Sequence, residues 1–186
     1  MYEKIAKSIS ESPVVDRAGY PYLVHPVTDG IPHMEPEMLK EITDWMIHTC
    51  DFDCDFILTP ESMGIPLAVS VSLSLNIPYV VIRKRKYGLP GEITVPSKTG
   101  YSDSVLYING ITKGDRVVII DDIMSTGNTL SALINALRSN DVEIVDVLVI
   151  FDKGSREAEL EKKLGMPIKT MIKIGFENGK PIILDN

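Results

Sequence analysis

The chain has 186 residues, 44% hydrophobic and 24% charged, with a formal net charge of −7. That length and composition describe one globular domain that can bury its own core, and the acidity argues against a general nucleic-acid-binding surface. No apolar run approaches the ~20 residues of a membrane helix, and Met1-Tyr2-Glu3-Lys4-Ile5 lacks the basic-then-apolar pattern of a signal peptide. The expectation is therefore a cytoplasmic protein with no membrane and no nucleic acid among its partners. The two cysteines, Cys50 and Cys54, have no second ligand pair nearby and read as reduced thiols rather than a zinc site.

Taken in chain order, residues 1–35 are rich in Pro, Gly and His, above all from Tyr20 to Pro32, and predict an irregular segment. Pro36 suits the first position of a helix. Met38, Leu39, Ile42, Trp45 and Met46 then recur at helical spacing to about Thr49. Phe56–Thr59 predicts a strand, Pro60–Gly64 a turn, Ile65–Leu75 a helix and Tyr79–Ile82 a second strand. The stretch from Lys84 to Ser104 is long and polar, with Gly88, Pro90, Gly91, Pro96 and Gly100. A loop of that length is usually functional or mobile. At its start lies Arg83-Lys84-Arg85-Lys86, a basic cluster in an acidic chain, which is either an anion site or a solvated basic turn.

Val117–Ile120 is apolar at every position, as a central parallel strand is. Leu130, Leu133, Ile134 and Leu137 mark a helix, Ile144–Phe151 a strand, Glu157–Leu164 a short helix ended by Gly165, and Thr170–Ile174 a further strand. Asn178-Gly179 has the chemistry of a type I′ hairpin turn. Strands alternating with helices predict an α/β domain with a mainly parallel central sheet flanked by helices. Ligands in such domains bind at the carboxyl ends of the strands.

The segment Val117-Val118-Ile119-Ile120-Asp121-Asp122-Ile123-Met124-Ser125-Thr126-Gly127-Asn128-Thr129 carries the chemistry. A buried strand ends in two carboxylates, and a turn of small residues leads into a helix. Such a turn presents backbone N–H groups and a helix dipole to an anion, and Ser125, Thr126 and Thr129 add hydroxyl donors. Ionised carboxylates accept from vicinal hydroxyls. A ribose 5-phosphate would set its phosphate on residues Ser125 to Thr129 and its hydroxyls near Asp121 and Asp122.

These residues resemble the motif with which type I phosphoribosyltransferases bind 5-phosphoribosyl-1-diphosphate (PRPP). The likeness covers nearly the whole chain. Ile82 to Gly91 is similar to the start of the flexible loop of adenine phosphoribosyltransferases, and Leu58 to Pro66 to the diphosphate-binding loop. Tyr20 to Pro32, Tyr101-Ser102 and Leu106 to Gly110 look like the archaeal hypoxanthine/guanine branch.

The resemblance implies a single phosphoribosyltransferase domain over residues 1–186, with a small hood at 1–35 and a flexible lid at 84–104. It implies catalysis at Asp121, Asp122 and Lys84, with the 5′-phosphate on Ser125, Thr126, Gly127, Asn128 and Thr129. Diphosphate would be bound by Glu61, Ser62, Met63, Gly64, Arg83, Lys84 and Lys86, and the base by Tyr22, Leu23, Val24 and His25. Tyr22 and His25 stand beside prolines, where packing is the more common role. Mg2+ would be held by PRPP and water near Asp121 and Asp122 rather than by direct protein ligands. The reaction implied is purine salvage, hypoxanthine or guanine giving IMP or GMP, in a homodimer. Adenine or xanthine as the base, or a purine-sensing regulator without catalysis, are the alternatives. The chain departs from relatives at Met63, where adenine enzymes carry an arginine, at Ser125, where some hypoxanthine/guanine enzymes carry an aspartate, and near Gly100, where a loop carboxylate is missing. No general acid or base follows from the sequence.

Overall fold

The computed structural model describes residues 2–17, 19–99, 102–154 and 157–184. Its elements are α1 (Glu3–Glu11), β1 (Val14–Arg17), β2 (Tyr20–Leu23), α2 (Pro26–Asp29), α3 (Pro36–Thr49), β3 (Phe56–Pro60), α4 (Gly64–Leu75) and β4 (Tyr79–Ile82). There follow β5 (Ile93–Thr99), β6 (Ser102–Ile108), β7 (Arg116–Met124), α5 (Asn128–Ser139), β8 (Glu143–Lys153), α6 (Glu157–Leu164), β9 (Lys169–Glu177) and β10 (Lys180–Leu184).

Strand periodicity explains the layers. In β7, Val118 and Ile120 point to one face of the sheet, where they join α1, α3 and α4 residues such as Ile5, Ile42 and Leu67. Val117 and Ile119 point to the other, against Leu130, Leu133 and Leu137 of α5 and Leu160 of α6. The sheet order is β10-β9-β8-β7-β3-β4. Neighbours are parallel from β4 to β9, and β10 is antiparallel. The chain fills β4 on one flank of β3 and β7 on the other, so the switch in strand order falls between β3 and β7. A crevice at the carboxyl ends of the strands opens there. Among the described residues no helix is long and apolar enough to cross a membrane.

The α/β reading and the positions of α3, α4, α5 and α6 agree with the sequence. The tail does too: Asn178 and Gly179 both have positive φ, 51° and 74°, in the turn joining β9 to β10. Three expectations need correction. Residues 1–35 are not irregular. Ile5 and Ile9 lie one helical turn apart and are buried in the core, which suffices to fix α1 although its other residues are largely polar. Residues 84–104 are not one long loop. Ile93, Val95, Leu106 and Ile108 alternate into the second core, and β5 and β6 form an antiparallel hairpin in which Pro96 sits opposite Val105. Pro is tolerated in a strand that has a free edge, as in this two-stranded ribbon. Finally, β7 does not end at the carboxylates. It runs through Asp121 and Asp122 to Met124 because Ile123 and Met124 continue the ladder to Phe151 and Asp152 of β8. Gly100 and Tyr101 lie outside the described residues.

Candidate active site

The loop after β3 is shaped by a close approach. A Cβ on Gly64 would stand 2.0 Å from Thr59 Oγ1 and 3.3 Å from the Ile120 carbonyl. Only glycine lets α4 start this near the sheet. The Glu61–Ser62 peptide bond is cis. The carboxylate of Glu61 accepts from Arg83 Nη1 at 2.9 Å and from the Lys84 amide at 2.7 Å. Those two bonds hold its carboxyl below the usual range. Glu61 thus ties the loop to the basic cluster. Met63 extends toward the left-handed Gly30 at the end of α2, where a Cβ would be 3.5 Å from the Met63 methyl. Lys84 is close enough for its charge to favour ionised Asp122. Lys86 instead acts on Glu92, which accepts from the Tyr87 and Gly88 amides.

Asp121 and Asp122 are half-buried on β7. Asp121 Oδ1 accepts from the Asp122 amide at 3.0 Å. Burial pushes both carboxyls up, and the Asp122 charge pushes Asp121 further. Asp122 reaches about 6. Two like charges in a desolvated strand are an unfavourable arrangement in the free protein, and such arrangements concentrate at functional sites. Beyond them, Gly127 has φ 70° and caps α5, whose backbone lies so near α6 that a Cβ there would be 2.7 Å from Leu160. Thr126 Oγ1 accepts from the Asn128 amide at 3.4 Å, while Ser125, Thr126 and Asn128 are exposed and Thr129 is half-buried. The start of a 12-residue helix and three hydroxyls therefore face solvent or the crevice together.

Next to this turn is a cavity of about 230 Å³, lined by Tyr22, Leu23 and Thr28 from the N-terminal segment, Ile123 and Ser125 after the carboxylates, and Lys153, Ile174 and Phe176. Lys153 Nζ donates to the Pro21 carbonyl at 3.1 Å and lies 4.3, 5.0 and 5.6 Å from the ring centres of Tyr20, Phe176 and Tyr22. Burial lowers its pKa. Val24 is not among the lining residues; its amide donates to the Pro13 carbonyl. His25 is not either. Its ring is fully buried, accepting from the Val27 amide through Nδ1, bonded to Ser8 Oγ through Nε2, and edge-on to Phe151 at 5.0 Å. It supports the segment from beneath.

The model of the phosphoribosyl transferase domain matches residues 34–177. The chain belongs to that family. A hypoxanthine/guanine phosphoribosyltransferase of Methanococcus maripaludis is 46% identical over 185 residues, covering 100% of both chains. One of Methanocaldococcus infernus is 48% identical, covering 97% of this chain and 99% of its own. The crystal structure of adenine phosphoribosyltransferase from Thermoanaerobacter pseudethanolicus covers 93% of this chain and 99% of its own with a TM-score of 0.75 at 19% identity, a likeness of fold.

In this phosphoribosyltransferase the sequence did not single out Lys153 or Phe176, whereas Thr28 ends the stretch from Tyr22 expected to form the base pocket and Ile123 lies within the segment from Val117 to Thr129. Each is an ordinary residue at a strand end or turn, and only the sheet order brings β7, β8 and β9 under the N-terminal segment. His25 makes a separate prediction. Burial pushes its imidazole down to about 4, with the Asp29 charge pulling weakly the other way. The unfolded chain takes up a proton near pH 6.5 that the folded one refuses until about 4, so stability is lost as pH falls through that window, by about 3 kcal/mol. His25→Asn keeps a capping acceptor without a titrating ring. Urea titrations of both proteins between about pH 7 and pH 4 should show the wild type losing its margin over the variant; parallel curves would contradict the assignment.

Proposed function

We propose that this enzyme is a purine-salvage hypoxanthine/guanine phosphoribosyltransferase, transferring the phosphoribosyl group of PRPP to hypoxanthine or guanine with release of diphosphate. The observation that carries the 6-oxopurine reading is Lys153. A cationic donor in a cavity otherwise walled by aromatic, aliphatic and hydroxyl side chains matches a base with an oxygen acceptor, and the full-length relatives bear that activity in their names.

In this reading Asp121 and Asp122 accept from the ribose hydroxyls, and residues Ser125 to Thr129 bind the 5′-phosphate through backbone amides and hydroxyls. The Glu61–Gly64 loop and Arg83, Lys84 and Lys86 bind diphosphate, Arg83 turning from Glu61 and Lys86 from Glu92 to do so. Breaking the bond at C1 builds positive charge on the ribose and negative charge on the leaving group. Cationic donors brought onto the leaving group would each lower the barrier by ~3 kcal/mol, and holding base and ribose in line contributes ~7 kcal/mol or more. The β5–β6 hairpin serves as the lid that excludes water.

Mg2+ fits the site. Asp121 and Asp122 stand side by side on β7 with burial raising both carboxyls, an under-compensated pair. That suits an ion that keeps its waters and is bound through one or two carboxylates plus substrate phosphates. When bound it neutralises leaving-group charge. A cytoplasmic location and a homodimer complete the proposal. Leu73 supports the latter: it is 80% exposed on α4, a helix apolar on its outer face as well as its inner one.

The test is a base panel with PRPP and Mg2+: hypoxanthine, guanine, adenine, xanthine and orotate, with products separated by chromatography. Nucleotide from hypoxanthine or guanine is expected. Product from adenine or xanthine alone would keep the phosphoribosyl site and overturn the choice of base. Product from none, with PRPP still bound, would point to a regulator.

A further inference from the structure

Asp29 lies behind the cavity rather than in it. Its Oδ1 accepts from the Tyr22 hydroxyl at 2.7 Å, and its Oδ2 from the Thr28 hydroxyl at 2.6 Å and the His25 amide at 3.1 Å. We propose that Asp29 is a positioning residue that sets the polarity of the base cavity, and so its preference for 6-oxopurines over 6-aminopurines. The proposal rests on the assignment of this cavity to the base, made above.

A hydroxyl carries one proton and two lone pairs, while an ionised carboxylate only accepts. Although burial alone would raise it, the bonds from Thr28, Tyr22 and His25 hold the Asp29 carboxyl below the usual range, so it is ionised. Thr28 has a second acceptor in the His25 carbonyl, but at 3.5 Å against 2.6 Å its proton belongs to Asp29. The protons of Tyr22 and Thr28 are thus both engaged away from the cavity that the two residues line. What they can offer a ligand is lone pairs. Lys153 offers the opposite. Of its three ammonium protons one goes to the Pro21 carbonyl, and its Nζ stands 5.6 Å from the Tyr22 ring centre.

The cavity therefore holds donors from Lys153 beside acceptors from Tyr22 and Thr28. A 6-oxopurine presents the complement: an acceptor at O6 next to a donor at N1–H, with a second donor on guanine at the 2-amino group. Adenine presents the reverse, a donor at the 6-amino group and an acceptor at N1. It would set donor against donor and leave buried polar groups unpaired, which is the most discriminating kind of mismatch. Backbone donors and acceptors can rotate little. Two hydroxyls could rotate to suit either base, and Asp29 is what prevents it.

Asp29→Asn tests this with almost no change of shape. The His25 amide requires an acceptor, so the asparagine oxygen takes the Oδ2 place and its NH2 faces Tyr22. The Tyr22 oxygen then accepts, and its proton is released toward the cavity. The wild-type panel comes first, with adenine also run as a competitor of hypoxanthine. In Asp29→Asn the ratio of kcat/KM for hypoxanthine to that for adenine, or of KM for hypoxanthine to the adenine inhibition constant, should move toward adenine by about 10- to 100-fold, mostly through KM. In a Tyr22→Phe background, which has no proton to release, Asp29→Asn should move the ratio no further. An equal loss on every base, or an unchanged ratio, would overturn the proposal and leave Asp29 a merely structural residue. If Asp29→Asn does not fold, Tyr22→Phe combined with Thr28→Val removes the same acceptors and must move the same ratio toward adenine. A wild-type protein that uses neither hypoxanthine nor guanine would instead sink the proposed function, before any variant is made.

Discussion

Asp122→Asn should lower kcat/KM for nucleotide formation by about a thousandfold and, in the absence of ligands, leave the protein more stable than before. The first effect follows from the placement of Asp122 beside the turn proposed to bind the 5′-phosphate. A carboxylate that accepts from ribose hydroxyls and faces the charge developing at C1 contributes most in the transition state, and removing one such electrostatic contact costs ~3–4 kcal/mol. The second follows from the free protein. Burial, and for Asp121 the neighbouring charge as well, raise both carboxyls, Asp122 to about 6. An acid whose folded pKa is raised opposes folding once ionised: the penalty is absent below the ordinary carboxylate pKa and grows as pH rises through about 6. Asn carries no charge to penalise. Thermal unfolding should therefore show a higher midpoint for the variant at about pH 8, and little difference at about pH 3, below the ordinary carboxylate pKa, where both carboxyls are largely protonated in either state. Adding Thr126→Ala should remove the residual turnover. Near-normal activity in the double variant, with an intact circular dichroism spectrum, would refute the assignment of the site.

The contrast between that site and the base cavity explains what the sequence reveals. Val117 to Thr129 is contiguous. Strand, carboxylates, turn and helix follow one another within the chain, so local pattern is enough to read them. The same holds for α3, with its apolar stripe, and for the Asn178-Gly179 turn. The cavity is different. Lys153 closes β8, Phe176 lies on β9, Ile123 continues β7 past the carboxylates, and Thr28 sits in a four-residue helix. Ile123 and Thr28 lie in stretches that the sequence marks, but nothing near Lys153 or Phe176 does. They meet because sheet order puts β7, β8 and β9 side by side and the β1–β2 hairpin folds over their ends. The basic cluster falls between the two cases. Its charge is visible in the sequence, but the Glu61 carboxylate that engages Arg83 and the Lys84 amide stands 22 and 23 residues away. Residues 84–104 misled for a third reason. Glycines and prolines outnumber the two alternating apolar residues of β5, and only the partner strand β6 reveals the period.

Lys153→Met is the second change expected to have a large effect, and it acts on the base alone. The methionine keeps an unbranched stem against Tyr20, Tyr22 and Phe176 but carries neither charge nor donor. Two opposing effects bear on stability. The Pro21 carbonyl loses its partner, at about 1–3 kcal/mol. A half-buried ammonium whose pKa is lowered by burial no longer has to be desolvated, which offsets that loss in part. The fold should therefore hold. In the proposed reading hypoxanthine and guanine lose a charge-assisted bond to O6, and their kcat/KM should fall about a hundredfold. Adenine has no oxygen there, and inhibition by it should change little or strengthen. A pH profile separates a lost cation from altered packing. Burial disfavours the protonated amine, so in the wild type KM for hypoxanthine should rise with pH below the range of an ordinary lysine, near 10.4. In Lys153→Met KM should be high and flat over the same range. A methionine variant with a wild-type KM for hypoxanthine would show that the ammonium does not read O6. The donor would then have to be a backbone amide on the cavity wall.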